Sequence, residues 1–235
     1  MSGSARKASA AEFLAKESRL DVLDNNAVVL LRQNTELTRT AQGYESHLGI
    51  NNVGTFLFTK LPTPILAATA KEEEPGRVRV VWVALTAAEG FSHKPGGVPL
   101  DNLDYHEPLP PMKLYAGNYL HATELARRYK DSGIVSVALH PGNLDTDMWK
   151  VQSLTKFLLR HTILYPIIFG AYTELFAGLS SQVSMEKSGS WIVPWGRIMP
   201  IRPDIVAASK TEEEGGSGIA RKFWQWANDQ VERYV

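Results

Sequence analysis

Apolar and polar positions along this chain follow two different periods, and the switches between them mark the elements. Ala8 to Lys16 is rich in Ala, Leu, Glu and Lys, residues that cost little in a helix, and a helix is predicted there. Ser18 to Leu20 lead into a first strand, and the apolar run Leu20 to Leu23 closes on Asp24-Asn25-Asn26. Thr40 to Leu66 carries apolar residues at helical spacing until Pro62 and Pro64, which are read as its end. Arg77 to Val83 holds four valines and a tryptophan, the composition of a strand buried on both faces. After a Gly- and Pro-rich stretch from Gly96 to Pro111, Leu114 to Lys130 reads as a helix. Ile134 to Leu139 reads as a third strand ending at His140-Pro141-Gly142, and Ser190 to Val193 as a fourth. Strands separated by helices of ten residues or more require crossover connections, so the sheet is expected to be parallel and the fold class α/β.

The most apolar segment, Thr162 to Leu179, follows Lys156, Arg160 and His161 and is interrupted by Pro166, Gly170 and Glu174. About 20 uninterrupted apolar residues are needed to cross a bilayer. A buried helix or a lid over a substrate is the expectation, with a peripheral membrane contact as the other reading. Lys plus Arg number 25 and Asp plus Glu number 25, a balance that excludes electrostatic nucleic-acid binding as the main mode. No cysteine occurs, which removes disulfides, thiolate metal sites and cysteine nucleophiles and favours a cytoplasmic setting. His140 has no second histidine at metal-ligand spacing, so no metal site is expected and a structural role at the strand end is preferred. The charge runs Lys71 to Glu74 and Glu212 to Glu214 read as solvated turns, and Gly215-Gly216-Ser217-Gly218, next to three glutamates, as a loop that starts a helix.

Four segments carry chemistry through their order. Asp21-Val22-Leu23-Asp24-Asn25-Asn26-Ala27 ends an apolar run on paired asparagines. Gly43-Tyr44-Glu45 is followed by Leu48-Gly49-Ile50-Asn51 and Gly54. Ala116-Gly117-Asn118-Tyr119-Leu120 opens a helix, and Pro141-Gly142-Asn143-Leu144-Asp145-Thr146 follows the third strand. Together they resemble the short-chain dehydrogenase/reductase family, in particular a fungal branch similar to retinol dehydrogenases. The resemblance implies an incomplete Rossmann-like doubly wound parallel sheet, strands four to seven of the family fold, in a single domain over residues 1–235 that lacks the glycine-rich βαβ portion. It further implies an NADP-dependent oxidoreductase, with NAD as the other option, acting on a carbonyl or secondary alcohol of a lipophilic small molecule in fungal secondary metabolism.

By the same resemblance, Asn51 holds a water in a proton relay, and Asn25 and Asn26 contact the adenosine ribose side or brace the sheet. Pro141, Gly142, Leu144 and Thr146 meet the nicotinamide carboxamide and phosphates, although Asp145 and Thr146 also read as a helix cap before Met148 and Trp149. Where the family ends its fifth strand on a serine pair, this chain has Ala84-Leu85, and Thr86 is the nearest hydroxyl. Successive strand residues point to opposite faces, so Thr86 substitutes only if the strand has already ended. Tyr115 falls on the catalytic tyrosine if four residues, the partner lysine among them, are absent; ungapped, it falls on the lysine. A tyrosine of ordinary pKa, about 10, donates usefully near neutrality when an ammonium stands beside it. No tyrosine here has a lysine four residues on, and Lys113 precedes Tyr115 by two. Tyr115 is therefore read either as a proton donor or as a packed aromatic.

The family's Thr-Gly-x-x-x-Gly-x-Gly turn, which brings backbone amides to a pyrophosphate, has no counterpart in the sequence. About 65 residues of the family pattern, roughly two βαβ units, precede the first matching position. An exposed first strand, Asp21 to Asp24, is then expected, and with it self-association. A catalytically silent relative acting as a binding or scaffold protein is the alternative function.

Overall fold

The computed structural model describes residues 3–29, 38–107, 116–146 and 162–235. A helix α1 (Gly3–Lys16) precedes β1 (Val22–Asn25). A π-helical turn (Leu48–Val53), α2 (Gly54–Lys60) and α3 (Thr63–Lys71) lead to β2 (Arg79–Val83). Then come α4 (Ala87–Gly90), α5 (Gly117–Arg128), β3 (Val135–Leu139), α6 (Ile167–Leu179), β4 (Trp191–Val193) and β5 (Arg197–Met199). The chain closes with α7 (Pro203–Ser209) and α8 (Ile219–Val231).

The sheet runs β1-β2-β3-β4-β5; the first four strands are parallel, as their helical crossovers require, and β5 returns antiparallel to β4. Every residue of β2 and β3 is buried. Alternation sends Val80 and Trp82 into one core with Phe56, Leu120 and Phe223, and Val81 and Val83 into a second with Val137, Leu139, Ile192 and Ala177. Each fully buried aliphatic chain contributes about 1.5–3 kcal/mol, so these two central strands anchor everything attached to them. Arg79 at the start of β2 is buried because its guanidinium donates to Ala177 O in the last turn of α6 (3.2 Å) and to Gly76 O (3.1 Å). That places a cation at the negative end of the helix dipole.

Three expectations change. The stretch Thr40 to Leu66 is not one helix. Gly43, at φ +90°, turns the chain back so that Arg39 bridges Glu45, and the Glu45 carboxylate then accepts from His47 N (2.9 Å) and Leu48 N (2.8 Å), which starts the helix there. The prolines do not end the run either: Pro62 caps α3 and Pro64 sits in its first turn, where a missing N–H costs nothing. The segment 162–179 is not a buried helix. α6 seats only Gly170, Thr173, Ala177 and Gly178 and leaves Ile167, Ile168, Tyr172, Leu175 and Leu179 exposed, Leu179 to 68%. No helix among the described residues is long and apolar enough to cross a membrane. Finally, β5 was not foreseen. It forms a hairpin with β4 in which Gly196, at φ +73°, supplies the left-handed turn position.

Candidate active site

The site lies where β2 and β3 end side by side. Ala84 N donates to Leu139 O (2.7 Å), after which the two chains part. Thr86 has helical angles (φ −50°, ψ −31°) and caps α4. The strand has thus stopped at Val83, and the face alternation that would have turned Thr86 away no longer applies. Its exposed hydroxyl lies 3.1 Å from His140 Nδ1 and 3.4 Å from Asn143 Oδ1. His140 is buried, its backbone N–H donates to Ile192 O (3.1 Å), and its ring packs against Trp191 at 5.4 Å. Burial first, and the Arg197 charge second, lower its pKa to about 4, so it is a neutral imidazole at pH 7. These groups open onto a cleft of about 410 Å³ that Glu89, Tyr165, Trp195, Arg197 and Met199 complete. Glu89 is held by Trp191 Nε1 at 2.5 Å.

The loop after β3 is clamped. Gly142 adopts φ +95°, and a Cβ there would stand 3.0 Å from the Trp195 ring and 3.2 Å from Pro194. Tyr165 N donates to Asn143 O (2.8 Å) and Asp145 N to Tyr165 O (2.9 Å), so the loop runs parallel to the approach of α6. Leu144 packs on α6, where a Cβ at Gly170 would come within 2.3 Å of its Cδ1, and Thr146 N donates to Leu144 O (2.9 Å). Trp195 covers the loop, with Tyr165 and Phe169 at 5.0 and 5.1 Å between ring centres.

Thr86 and Gly142 therefore line one cleft with His140 and Asn143, while Leu144, farther along the same loop, turns to α6. Asn25 and Asn51 belong to another cluster. Asn25 is buried and donates to Thr59 Oγ1 (2.9 Å), which in turn donates to Thr55 O (3.0 Å). The Asn51 side chain, in the π-helical turn, accepts from Val29 N and donates to Val29 O, both at 2.8 Å. Both asparagines fasten the end of β1 and its following loop to the helical layer. Asn26 is exposed just beyond β1, and Tyr115 lies outside the described residues. Asn143, Glu89 and Trp195 were not anticipated; the position directly after Pro-Gly at a strand end was the available signal for Asn143. Asn118, at the start of α5, ties that helix to the site by donating to Val83 O (2.8 Å). No grouping of His, Asp or Glu among the described residues is suited to hold a metal.

A short-chain dehydrogenase/reductase of Phomopsis amygdali is 50% identical over 99% of this chain and 71% of its own length. The chain belongs to the short-chain dehydrogenase/reductase family. A second member, from Neocamarosporium betae, is 42% identical over 99% of the chain and 68% of its own length. No family model matches. Among solved structures, NADPH-bound carbonyl reductase from chicken fatty liver shares the fold, with a TM-score of 0.60 at 22% identity, over 84% of this chain and 73% of that one.

Members of this family use a nicotinamide dinucleotide, and the described residues fit one end of it. Gly142 and Asn143 of the loop and Thr86 border an open cleft at the carboxyl ends of parallel strands, where such sheets receive ligands. Among the described residues the pyrophosphate end has no counterpart: Gly215 to Gly218 form the turn that starts α8, with Gly216 pressed on Ala207 and Lys210.

Proposed function

We propose that this short-chain dehydrogenase/reductase is an NADP-dependent oxidoreductase that interconverts a carbonyl and a secondary alcohol on a lipophilic small molecule in fungal secondary metabolism. The observation that carries the reading is the exposed Thr86 hydroxyl, fixed by His140 and Asn143 at the mouth of a cleft walled by Tyr165, Trp195 and Met199. The fungal relatives support the setting, and the aromatic wall supports a lipophilic substrate. When bound, the dinucleotide supplies or accepts the hydride. Asn26, Pro141, Gly142, Leu144 and Thr146 would hold it, and Thr86 would position the loop group that meets the substrate oxygen. Tyr115 is assigned the proton and Asn51 the ordered water behind it.

A second reading, a catalytically silent relative that binds or scaffolds, is favoured by a fact of sequence: no tyrosine has the lysine four residues on that would lower its pKa. Titrating NADPH while following nicotinamide fluorescence separates the two. A saturable signal is expected for the oxidoreductase; its absence leaves the silent relative.

A further inference from the structure

Thr86 Oγ1 carries one proton and stands between two groups, His140 Nδ1 at 3.1 Å and Asn143 Oδ1 at 3.4 Å. A neutral imidazole carries one N–H. With Asn143 Oδ1 facing Thr86, both contacts are hydrogen bonds at once in one arrangement only: His140 donates through Nδ1–H to Thr86, and Thr86 donates to Asn143 Oδ1. A neutral imidazole can carry its proton on either nitrogen, so the sense of this chain is set by Asn143 Oδ1, which can only accept. With Oδ1 turned inward, the Asn143 amide must present Nδ2 and its two N–H groups elsewhere. Asn143 lines the cleft, its backbone is pinned by Tyr165 N at 2.8 Å, and no acceptor among the described residues takes its Nδ2.

We propose that Asn143 Nδ2 is the donor that receives a ligand carbonyl oxygen in this cleft, with Thr86 and His140 as the positioning residues that hold the amide in that orientation. The class of ligand is an aryl or alkyl ketone: one acceptor oxygen on Asn143, with the apolar body against Tyr165, Trp195 and Met199. An alcohol alone would be served equally well by the opposite sense of the chain, with Oδ1 outward; the ketone is what the sense with Oδ1 inward selects. The inference rests on the cleft being the substrate site of the proposed oxidoreductase.

The test needs no nucleotide, so failure to bind NADPH and failure of this inference are separate results. The His140 ring signals, assigned by their loss in His140→Gln, report the tautomer in long-range nitrogen–proton NMR spectra. The Nδ1–H form is expected in the wild-type protein and the Nε2–H form in Thr86→Val, where the acceptor is gone. Acetophenone is then titrated while the Trp195 indole N–H is followed, assigned with Trp195→Phe. Asn143→Ala and the isosteric Asn143→Asp, which keeps the inner oxygen and removes the outward N–H, should each weaken acetophenone about tenfold, the worth of one lost hydrogen bond. Ethylbenzene, which lacks the oxygen, should bind all three proteins alike. An Nε2–H tautomer in the wild-type protein, equal acetophenone affinity in wild type and both variants, or no saturable ketone binding by the wild type would each overturn the proposal.

Discussion

A Cβ placed on Gly117 would stand 1.8 Å from Asn52 Oδ1, so the first residue of α5 and the π-helical turn touch with no room for a side chain between them. Asn52 Oδ1 is buried there without a hydrogen-bond partner. Gly117→Ala should therefore cost about 1–3 kcal/mol, the usual penalty of overpacking. Urea unfolding would show it as a lower midpoint at unchanged slope, and adding Asn52→Gly should recover most of the loss. An unchanged midpoint in the single variant would contradict the contact.

His121 should make the protein acid-labile. Its ring is fully buried among Phe56, Trp82, Phe223 and Trp224, stacked on Phe223 at 4.6 Å, with neither nitrogen hydrogen-bonded. Burial lowers its pKa to about 3. The unfolded chain takes up this proton near pH 6.5 while the folded one does not, so stability falls as pH drops from about 6.5 toward 3, by roughly 1.4 kcal/mol per pH unit at full effect. His121→Phe should flatten that slope by one proton when stability is measured at several pH values. Equal slopes in both proteins would refute the assignment.

The acidic partner on α5 is the buried one. The Glu124 side chain is 3% exposed and meets Arg127 Nη1 at 3.0 Å and Arg128 Nε at 2.8 Å, while both arginines reach solvent. Removing both arginines strands a carboxylate in the interior and should cost about 3–5 kcal/mol. Glu124→Gln leaves two solvated cations and should cost less. Thermal unfolding that ranked the two variants the other way would place the burden on the arginines instead.

Self-association is the expected behaviour in solution. Among the described residues β1 pairs only with β2, and the neighbouring α6 exposes Ile167, Ile168, Tyr172, Leu175 and Leu179. An open strand edge beside an apolar helix face invites a second chain. Sedimentation velocity should show mass rising with concentration, and Ile168→Lys with Leu175→Lys should reduce it. A concentration-independent monomer would dispose of the idea.

The parallel sheet was legible because β2 and β3 are nearly continuous apolar runs, Val80 to Val83 and, broken only by Ser136, Val135 to Leu139, which a doubly covered sheet absorbs. The splitting of residues 40–66 was not, since the apolar spacing survives the break and what decides it is the Glu45 carboxylate folding back on His47 and Leu48. At the site, Thr86 could be named as a hydroxyl near a strand end, but where the strand stops depends on the helical turn that follows. Asn143 was hidden for a different reason: its meaning comes from Thr86 and His140, more than fifty residues away in sequence or on the far side of a proline-glycine turn. The exposed face of α6 is hard to read from sequence because large apolar residues surround its one charge, Glu174, and only glycine, threonine and alanine are small enough to sit against the strands.

The floor and the roof of the cleft belong to different parts of the molecule. Thr86 and His140 are rooted in the two most deeply embedded strands, whereas Trp195 and Tyr165 reach over from a short peripheral hairpin and a connecting segment. Substitutions in that canopy can reshape what the pocket admits without disturbing its foundation, so divergence in ligand choice among kindred chains should concentrate around residues 165 and 193–200.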